Sequence, residues 1–575
     1  MSPTTPSPAR TVPTYEALAA DIKARGVTAV FGLMSDDTAL FCTALDAMGV
    51  RFYGARHENN ACSMAEGYAA ATGKLGIAIL GRGPATANAM HGAVYANRTG
   101  SQVLLIFGFA STSSGQGNNL GPDGKALNAV GVLEAAGLQT FVASHSATAL
   151  RTLADAINWT APGRCAALLL PMNVQFGQVQ IEMQAQAPLA ALAALAAPSA
   201  AKRSGARPAA IDTAAALLAK SRKPLFVVGL GAHRAGAREA IERLADKVGA
   251  VVATSLKAKD MFHGYPYNLG LIGSFSHGAG RRLIDQADCI VTFGAGLNQR
   301  TTSYGTALPE GVPLIQVESV RAHIGRWYHA DVALVGDAQL VAEQLVQASA
   351  AKSDADKPLH TEDTRRRLLD FDLASEFEPA HTPRTVDPRT LALEIDRLLP
   401  PDRNAVYDSG NFLQIVPYVS GISPQHFKSA HDFSSIGMGF GTAIGYAVGA
   451  PDRTTAFFVG DGSFLMNLGE LETVAREDVS LVIVVMNDCA YGAELHYLKM
   501  RDAPVAKSVF PDIDFAPIAA GFGFQTATVR TLDELRALAP MLRRPQGPIL
   551  IDCKITASVM APFLLETVEH ERRKS

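Results

Sequence analysis

Two aspartates and the glycines around them are the residues of this sequence best suited to chemistry. Asp461 lies in Gly460-Asp461-Gly462-Ser463, at the end of the apolar run TAFFVG, and Asp488 follows Asn487 at the end of LVIVVMN. They are 27 positions apart (488 − 461). A strand, a helix and a neighbouring parallel strand of that length return the chain to the same sheet edge, so the two carboxylates are predicted to face one another. Glycines flanking an acid let backbone and metal approach closely. The run MNLGELETVARE after Ser463 reads as a helix whose first N–H groups can receive a phosphate. Two carboxylates beside a helix N-terminus suit a hard cation such as Mg²⁺ bridging to a diphosphate. Gly-Asp-Gly alone is also a tight turn; the pair Asn487-Asp488 at this spacing is what favours the metal.

Ligands of open parallel sheets bind beyond the carboxyl ends of the strands, so strand–helix alternation must position these residues. The chain supplies three such blocks. Strands are predicted at 29–33, 77–80, 103–107 and 166–171, then at 225–230, 249–254, 289–294 and 314–318, and finally at 404–410, 455–462, 481–487 and 548–554. The fold class is therefore α/β, with three doubly wound parallel-sheet domains over 12–183, 208–348 and 387–565. The Ala/Pro/Gln-rich stretch 184–207 and the charged stretch 349–386 read as linkers, and 566–575 as a charged, solvated tail. A net charge of −3 argues against a broad nucleic-acid surface, and 48% hydrophobic against 18% charged residues argues against disorder. The six cysteines form no CxxC pair, which points away from zinc and disulfides. MSPTTPSPAR has no apolar core of a signal peptide, and no long charge-free apolar run occurs, so a cytoplasmic protein without membrane or nucleic-acid partners is expected.

The segment GDGSFLMNLGELETVAREDVSLVIVVMNDCAYG (460–492) resembles the diphosphate motif of thiamine-diphosphate enzymes, in the family of acetolactate synthase, pyruvate decarboxylase and benzaldehyde lyase. The resemblance implies thiamine diphosphate and Mg²⁺ as cofactors, with Asp461, Asp488 and the carbonyl of Ala490 as metal ligands. Gly462, Ser463, Tyr491 and Gly492 would line the diphosphate end. The family commonly has Asn at the position of Asp488. A second stretch, ARHENNACSMAEGYAAATGKLGIAIL (55–80), is similar to the family's pyrimidine-domain signature, in which the glutamate of RHE, here Glu58, bonds the aminopyrimidine and promotes the tautomer that takes the proton from thiazolium C2, leaving the ylid. In GRGPATAN (81–88), Arg82 and Ala85 replace smaller residues of the family's loop. A third stretch, FSSIGMGFGTAIG (433–445), resembles the segment whose apolar residue, Ile436, bends the cofactor while backbone near Ser434 holds its ring. DSGNF (408–412) resembles the loop that reaches the diphosphate, through Asn411 and Phe412. By the same resemblance 12–183 is the pyrimidine-binding domain, 208–348 a central nucleotide-type domain and 387–565 the diphosphate-binding domain. In this family the pyrimidine and diphosphate domains of different subunits face each other, which implies a homodimer or homotetramer.

The resemblance leaves the reaction open between a C–C lyase or carboligase and a decarboxylase, acting on 2-oxo acids or 2-hydroxyketones through an enamine. In FGLMSDDTALF, Asp36 falls where decarboxylases carry an acid, and Asp37 where benzaldehyde lyase carries histidine. Glu494, in NDCAYGAELHYLK, stands at the catalytic glutamate of pyruvate decarboxylase. Asp36, Asp37, Glu58 and Glu494 are thus the catalytic candidates. Acetolactate synthase-type acyl transfer is the alternative, weakened by Ala126-Leu127-Asn128 where Phe-Gln-Glu is usual. A non-catalytic thiamine-binding protein is the alternative of another class, and Glu58 speaks against it. The family's central domain can hold FAD or ADP; VGLGAHRAG (228–236) supports that weakly, because Arg234 stands where a third glycine belongs.

Overall fold

Four apolar strands in each block are buried on both faces, and each set forms the middle of a six-stranded, wholly parallel sheet. The computed structural model describes residues 9–112, 123–161, 163–182 and 203–574. Most of the stretch expected as the first linker lies outside the described residues.

In the first sheet the spatial order is Arg51–Gly54, Ala29–Leu33, Gly76–Leu80, Val103–Phe109, Cys165–Pro171, Gln139–Val142. In the last it is Phe427–Ser429, Arg403–Tyr407, Thr454–Gly460, Leu481–Asn487, Ile549–Lys554, Gln525–Val529. Numbered within each domain, both orders read 2-1-3-4-6-5. The central sheet runs Asn268–Leu271, Val251–Thr254, Pro224–Val228, Cys289–Phe293, Leu314–Glu318, Val332–Val335, which is 3-2-1-4-5-6, the nucleotide-binding order. A short antiparallel pair, Ala9–Pro13 with Gln178–Glu182, ties the ends of the first domain together.

The first and last domains share one apolar core. At its centre helix Glu58–Thr72 lies against helix Gly439–Gly449 with backbone touching backbone. A Cβ on Gly67 would overlap the carbonyl oxygen of Thr442, and one on Gly445 that of Met64. Each helix follows the second strand of its own domain, so equivalent elements of the two domains meet. The Gly-rich stretch 433–445 thus serves close packing at its helical end.

Residues 349–386 carry a short helix, Glu362–Leu369, within irregular chain. The charged tail is helical: helix Pro562–Lys574 runs through it, with Val568 buried. Ser274 of the central domain donates to Glu566, and Tyr304 stacks on His570 at 4.4 Å. Glu569, Glu571, Arg572, Arg573 and Lys574 stay exposed. No helix among the described residues is long and apolar enough to cross a membrane.

Candidate active site

A cleft of about 550 Å³ opens at the carboxyl ends of the last sheet. Parallel pairing sets Gly460 level with Met486, so the residues that follow, Asp461 and Asp488, emerge side by side. Their carboxyl groups share a hydrogen bond, and burial together with mutual repulsion raises the pKa of Asp461 well above the usual carboxylate range. Asp488 is raised as well, chiefly by burial. Neither has a lysine, arginine or histidine paired with it among the described residues. Backbone N–H groups of Gly462 and Ala490 face Asp461. The helix expected after Ser463 begins earlier, as Asp461–Leu465, so Asp461 is its first residue; a second helix, Glu470–Arg476, follows.

The loop after Asn487 is fixed by that residue. Its amide donates to Asp552 at 2.9 Å and to the carbonyl of Ile513 at 3.1 Å, and its oxygen accepts the Cys489 N–H. Cys489 takes a left-handed φ of 56°. Among the described residues no backbone N–H reaches the carbonyl of Ala490. Gly462 and Gly492 are small for steric reasons: a Cβ on Gly462 would lie 2.7 Å from the Tyr491 ring, and one on Gly492 would press on Asp488 and Asn411.

Across the cleft, Ser434 has a φ of 54°, a strained conformation that carries the chain past Ser435 and Ile436. Asp408, at the end of strand Arg403–Tyr407, organises this side. Fully buried, it accepts the N–H groups of Ser409 at 2.7 Å and Gly437 at 3.0 Å and the hydroxyl of Ser463. Burial raises its pKa, against those hydrogen bonds. Asn411 lines the cleft, but both ends of its amide are engaged by backbone, Val559 at 2.9 Å and Ala561 at 2.8 Å. Only its main chain is left to face a ligand.

All residues expected from the last domain line this one cleft: Asn411, Phe412, Ser434, Ile436, Asp461, Gly462, Ser463, Asp488, Ala490, Tyr491, Gly492 and Glu494. Three expected from the first domain do not. Glu58 is the first residue of its helix, buried, and bonded by Asn88 at 3.2 Å. Asp36 is ion-paired to Lys125, whose hydrogen bond lowers its pKa. Asp37 is buried and accepts the Arg82 N–H at 2.9 Å, pinning two loops together. Arg82 itself pairs with Asp123, which neutralises the charge it brings to this loop.

Among the lining residues not foreseen are Ser409, His431, His91 and Arg300. Ser409 and His431 are joined by a 2.7 Å hydrogen bond, and His91 bonds Ser435 at 2.6 Å. Arg300 reaches in from the central domain, donating to the Phe563 carbonyl at 2.9 Å. Asp408 had a signal, an acid directly after a strand as at Asp461. The lone histidines and Arg300 had none, since only folding brings them together.

Comparison with known proteins agrees with this geometry. Residues 13–129 match the family model described as thiamine pyrophosphate enzyme, N-terminal TPP binding domain. Residues 211–345 match the central domain of the same enzymes, and 408–553 their C-terminal TPP binding domain. The chain is 27% identical to the "Probable acetolactate synthase large subunit" of Methanocaldococcus jannaschii, covering 96% of this chain and 93% of that protein. It is 25% identical to the sulfoacetaldehyde acetyltransferase of Castellaniella defragrans, over 94% and 92%. A solved structure from Mycobacterium smegmatis, proposed there to be a thiamin diphosphate-dependent enzyme, superimposes with a TM-score of 0.76, covering 95% of this chain and all of that one; at 21% identity it speaks for the fold alone.

Proposed function

The chain belongs to the thiamine pyrophosphate enzymes, and from that premise we propose that it makes or breaks a C–C bond beside a carbonyl group, as a lyase or carboligase acting on 2-oxo acids or 2-hydroxyketones. The observation that carries the reading is the pair Asp461 and Asp488. Two buried carboxylates without a protein cation form a costly arrangement that a hard divalent ion relieves. The free carbonyl of Ala490 beside them adds the oxygen such an ion prefers. The donor set therefore fits Mg²⁺ and a diphosphate.

In this proposal Asp461, Asp488 and Ala490 hold the metal, while main chain at Gly462, Ser463, Asn411 and Phe412 receives the phosphates. Ile436 and the strained turn at Ser434 shape the middle of the cleft, and Tyr491 and Gly492 close the diphosphate end. Thiamine diphosphate, when bound, would supply an electron sink for the electron pair of a broken C–C bond. Glu58 lies outside its own chain's cleft, so the proposal includes a homodimer or homotetramer in which Glu58 of a second copy completes each site. Glu494, exposed in the cleft and without a side-chain hydrogen-bond partner among the described residues, is the carboxylate placed to move a proton to or from carbon there. Six unpaired cysteines suit a reducing, cytoplasmic setting.

Acyl transfer is the second reading, favoured by the activities in the relatives' names, acetolactate synthase and sulfoacetaldehyde acetyltransferase. An FAD or ADP would lie on the central sheet, near a 380 Å³ cavity where Arg234, Lys257 and Lys428 meet; flavin absorbance of the purified protein tests for the former. The deciding experiment assays 2-oxo acids and 2-hydroxyketones, alone and with acceptor aldehydes, for CO₂, aldehyde and ligated product, with and without thiamine diphosphate and Mg²⁺. Turnover that needs neither cofactor sinks the proposal.

A further inference from the structure

We propose that His431, held by Ser409, is the residue that gives and takes the substrate's oxygen-bound proton in this cleft. This rests on the reading above, that the cleft joins and cleaves carbonyl compounds. Any such reaction moves one proton onto or off an oxygen at the reacting carbon, so a group with an open nitrogen or oxygen must stand there.

The groups available can be sorted by what they already do. Asp461 and Asp488 sit at the diphosphate end, and Glu494 is the carboxylate assigned above to the proton on carbon, not to the one on oxygen. Asp36 is bound by Lys125 and Asp37 by the Arg82 N–H, both outside the cleft. His91 has its Nε2 on Ser435 and its ring against Phe433, which leaves only Nδ1, the nitrogen next to its own backbone. His431 is the reverse case. Its Nδ1 is taken by the Ser409 hydroxyl at 2.7 Å, and its outer nitrogen, Nε2, has no partner among the described residues. Ser409 is itself immobilised, buried and tied through its N–H to Asp408 at 2.7 Å. The ring is thus oriented by one nitrogen and leaves the other for the cleft, the arrangement general acid–base histidines use.

Its surroundings favour the neutral ring. Burial lowers its pKa, the Arg300 guanidinium lowers it further, and only Asp432 opposes them. The other titratable group on this wall, His91, is also lowered by burial. In the cleavage direction the hydroxyl O–H of the substrate breaks and its proton goes to Nε2. The O–H electron pair becomes the second bond of the new carbonyl, and the pair of the broken C–C bond is left on the other carbon, where thiamine diphosphate, when bound, would stabilise it. In the joining direction the imidazolium returns that proton to the carbonyl oxygen of the acceptor. No oxidant or further reactant is needed.

The test compares wild type with His431→Asn and Ser409→Ala, using the fastest substrate of a panel running from pyruvate to benzoin. Calorimetry of thiamine diphosphate binding and proton–deuterium exchange at C2 of the bound cofactor should be unchanged in both variants, which also shows that they fold. In His431→Asn, kcat should fall by about 10²–10⁴ with little change in KM, and the loss in Ser409→Ala should be smaller. The acidic limb of the wild-type kcat profile should vanish in His431→Asn. In cofactor-free protein, imidazole NMR should show His431 titrating below the ordinary value of about 6.5. Wild-type turnover and pH profile in His431→Asn would overturn the proposal alone, as would C2 exchange falling in step with kcat. Absence of C2 exchange in wild type would overturn the cofactor reading and this proposal with it.

Discussion

Asp461 and Asp488 stand at the ends of adjacent parallel strands with their carboxyl groups against each other and, among the described residues, no basic side chain paired with either. Stability and binding should therefore move in opposite directions when one is neutralised. Asp461→Asn should remove repulsion from the cofactor-free protein and raise its Tm by roughly 2–4 °C. Asp461→Ala should weaken Mg²⁺–thiamine diphosphate binding by about 3 kcal/mol, roughly 100-fold in Kd. Scanning calorimetry and titration calorimetry read the two effects, and cofactor bound by Asp461→Ala as tightly as by wild type would remove the metal assignment.

Asp488→Asn should be mild by comparison, because an amide keeps an oxygen ligand at that position. Its Mg²⁺ titration should stay within about tenfold of wild type, a change of about 1.4 kcal/mol. A loss as large as that of Asp461→Ala would mean the second negative charge is required.

Glu58→Gln should separate activation from binding. The metal end of the cleft is built by other residues, so thiamine diphosphate affinity should hold. Exchange of the C2 proton should slow by about 10²–10⁴. Acid-quench NMR measures it, and exchange at the wild-type rate would take Glu58 out of the reaction.

The two carboxylates read as proton-transfer groups should behave differently. Glu494 lines the cleft, and Glu494→Gln should lower kcat by about 10²-fold or more with KM little changed. Asp36 is exposed and engaged by Lys125, so Asp36→Asn should alter kcat less than Glu494→Gln does. Steady-state kinetics of both, on one substrate, decides between them.

What the sequence made legible follows burial. The four strands predicted in each block are the inner four of each sheet, because strands covered on both faces read as unbroken apolar runs. The edge strands RFYG, QTFV, NLGL, VALV, FKS and QTATV escaped, since each is very short, Gly-interrupted or polar on one side. The half-site of the last domain could be read because local motifs build it: Asp461 and Asp488 each close a recognisable strand, and Ile436 stands just before a glycine run. Pairings made only by folding could not be read. Nothing in the sequence joins Ser409 to His431, Asp36 to Lys125, or Asn411 to Val559.

Gly67→Val should break the contact between the two central helices. Its side chain would meet the Thr442 carbonyl, which cannot yield as a flexible side chain can. Overpacking of this kind costs about 1–3 kcal/mol, and a backbone obstacle sets the upper end. Urea denaturation should show the lower midpoint, and an unchanged midpoint would mean the helices can separate freely.

That shared 2-1-3-4-6-5 order makes the outer domains two copies of one plan, with their matching helices back to back. The plan has been divided by labour. After the third strand one copy has Asp461 and the other Gly81; at the start of the helix after the second strand, one has Glu58 and the other Gly439. Each copy keeps an acid where the other keeps a glycine. Neither can stand in for its twin, so a lesion at either acid has no backup in the same chain, although the fold that carries both is present twice.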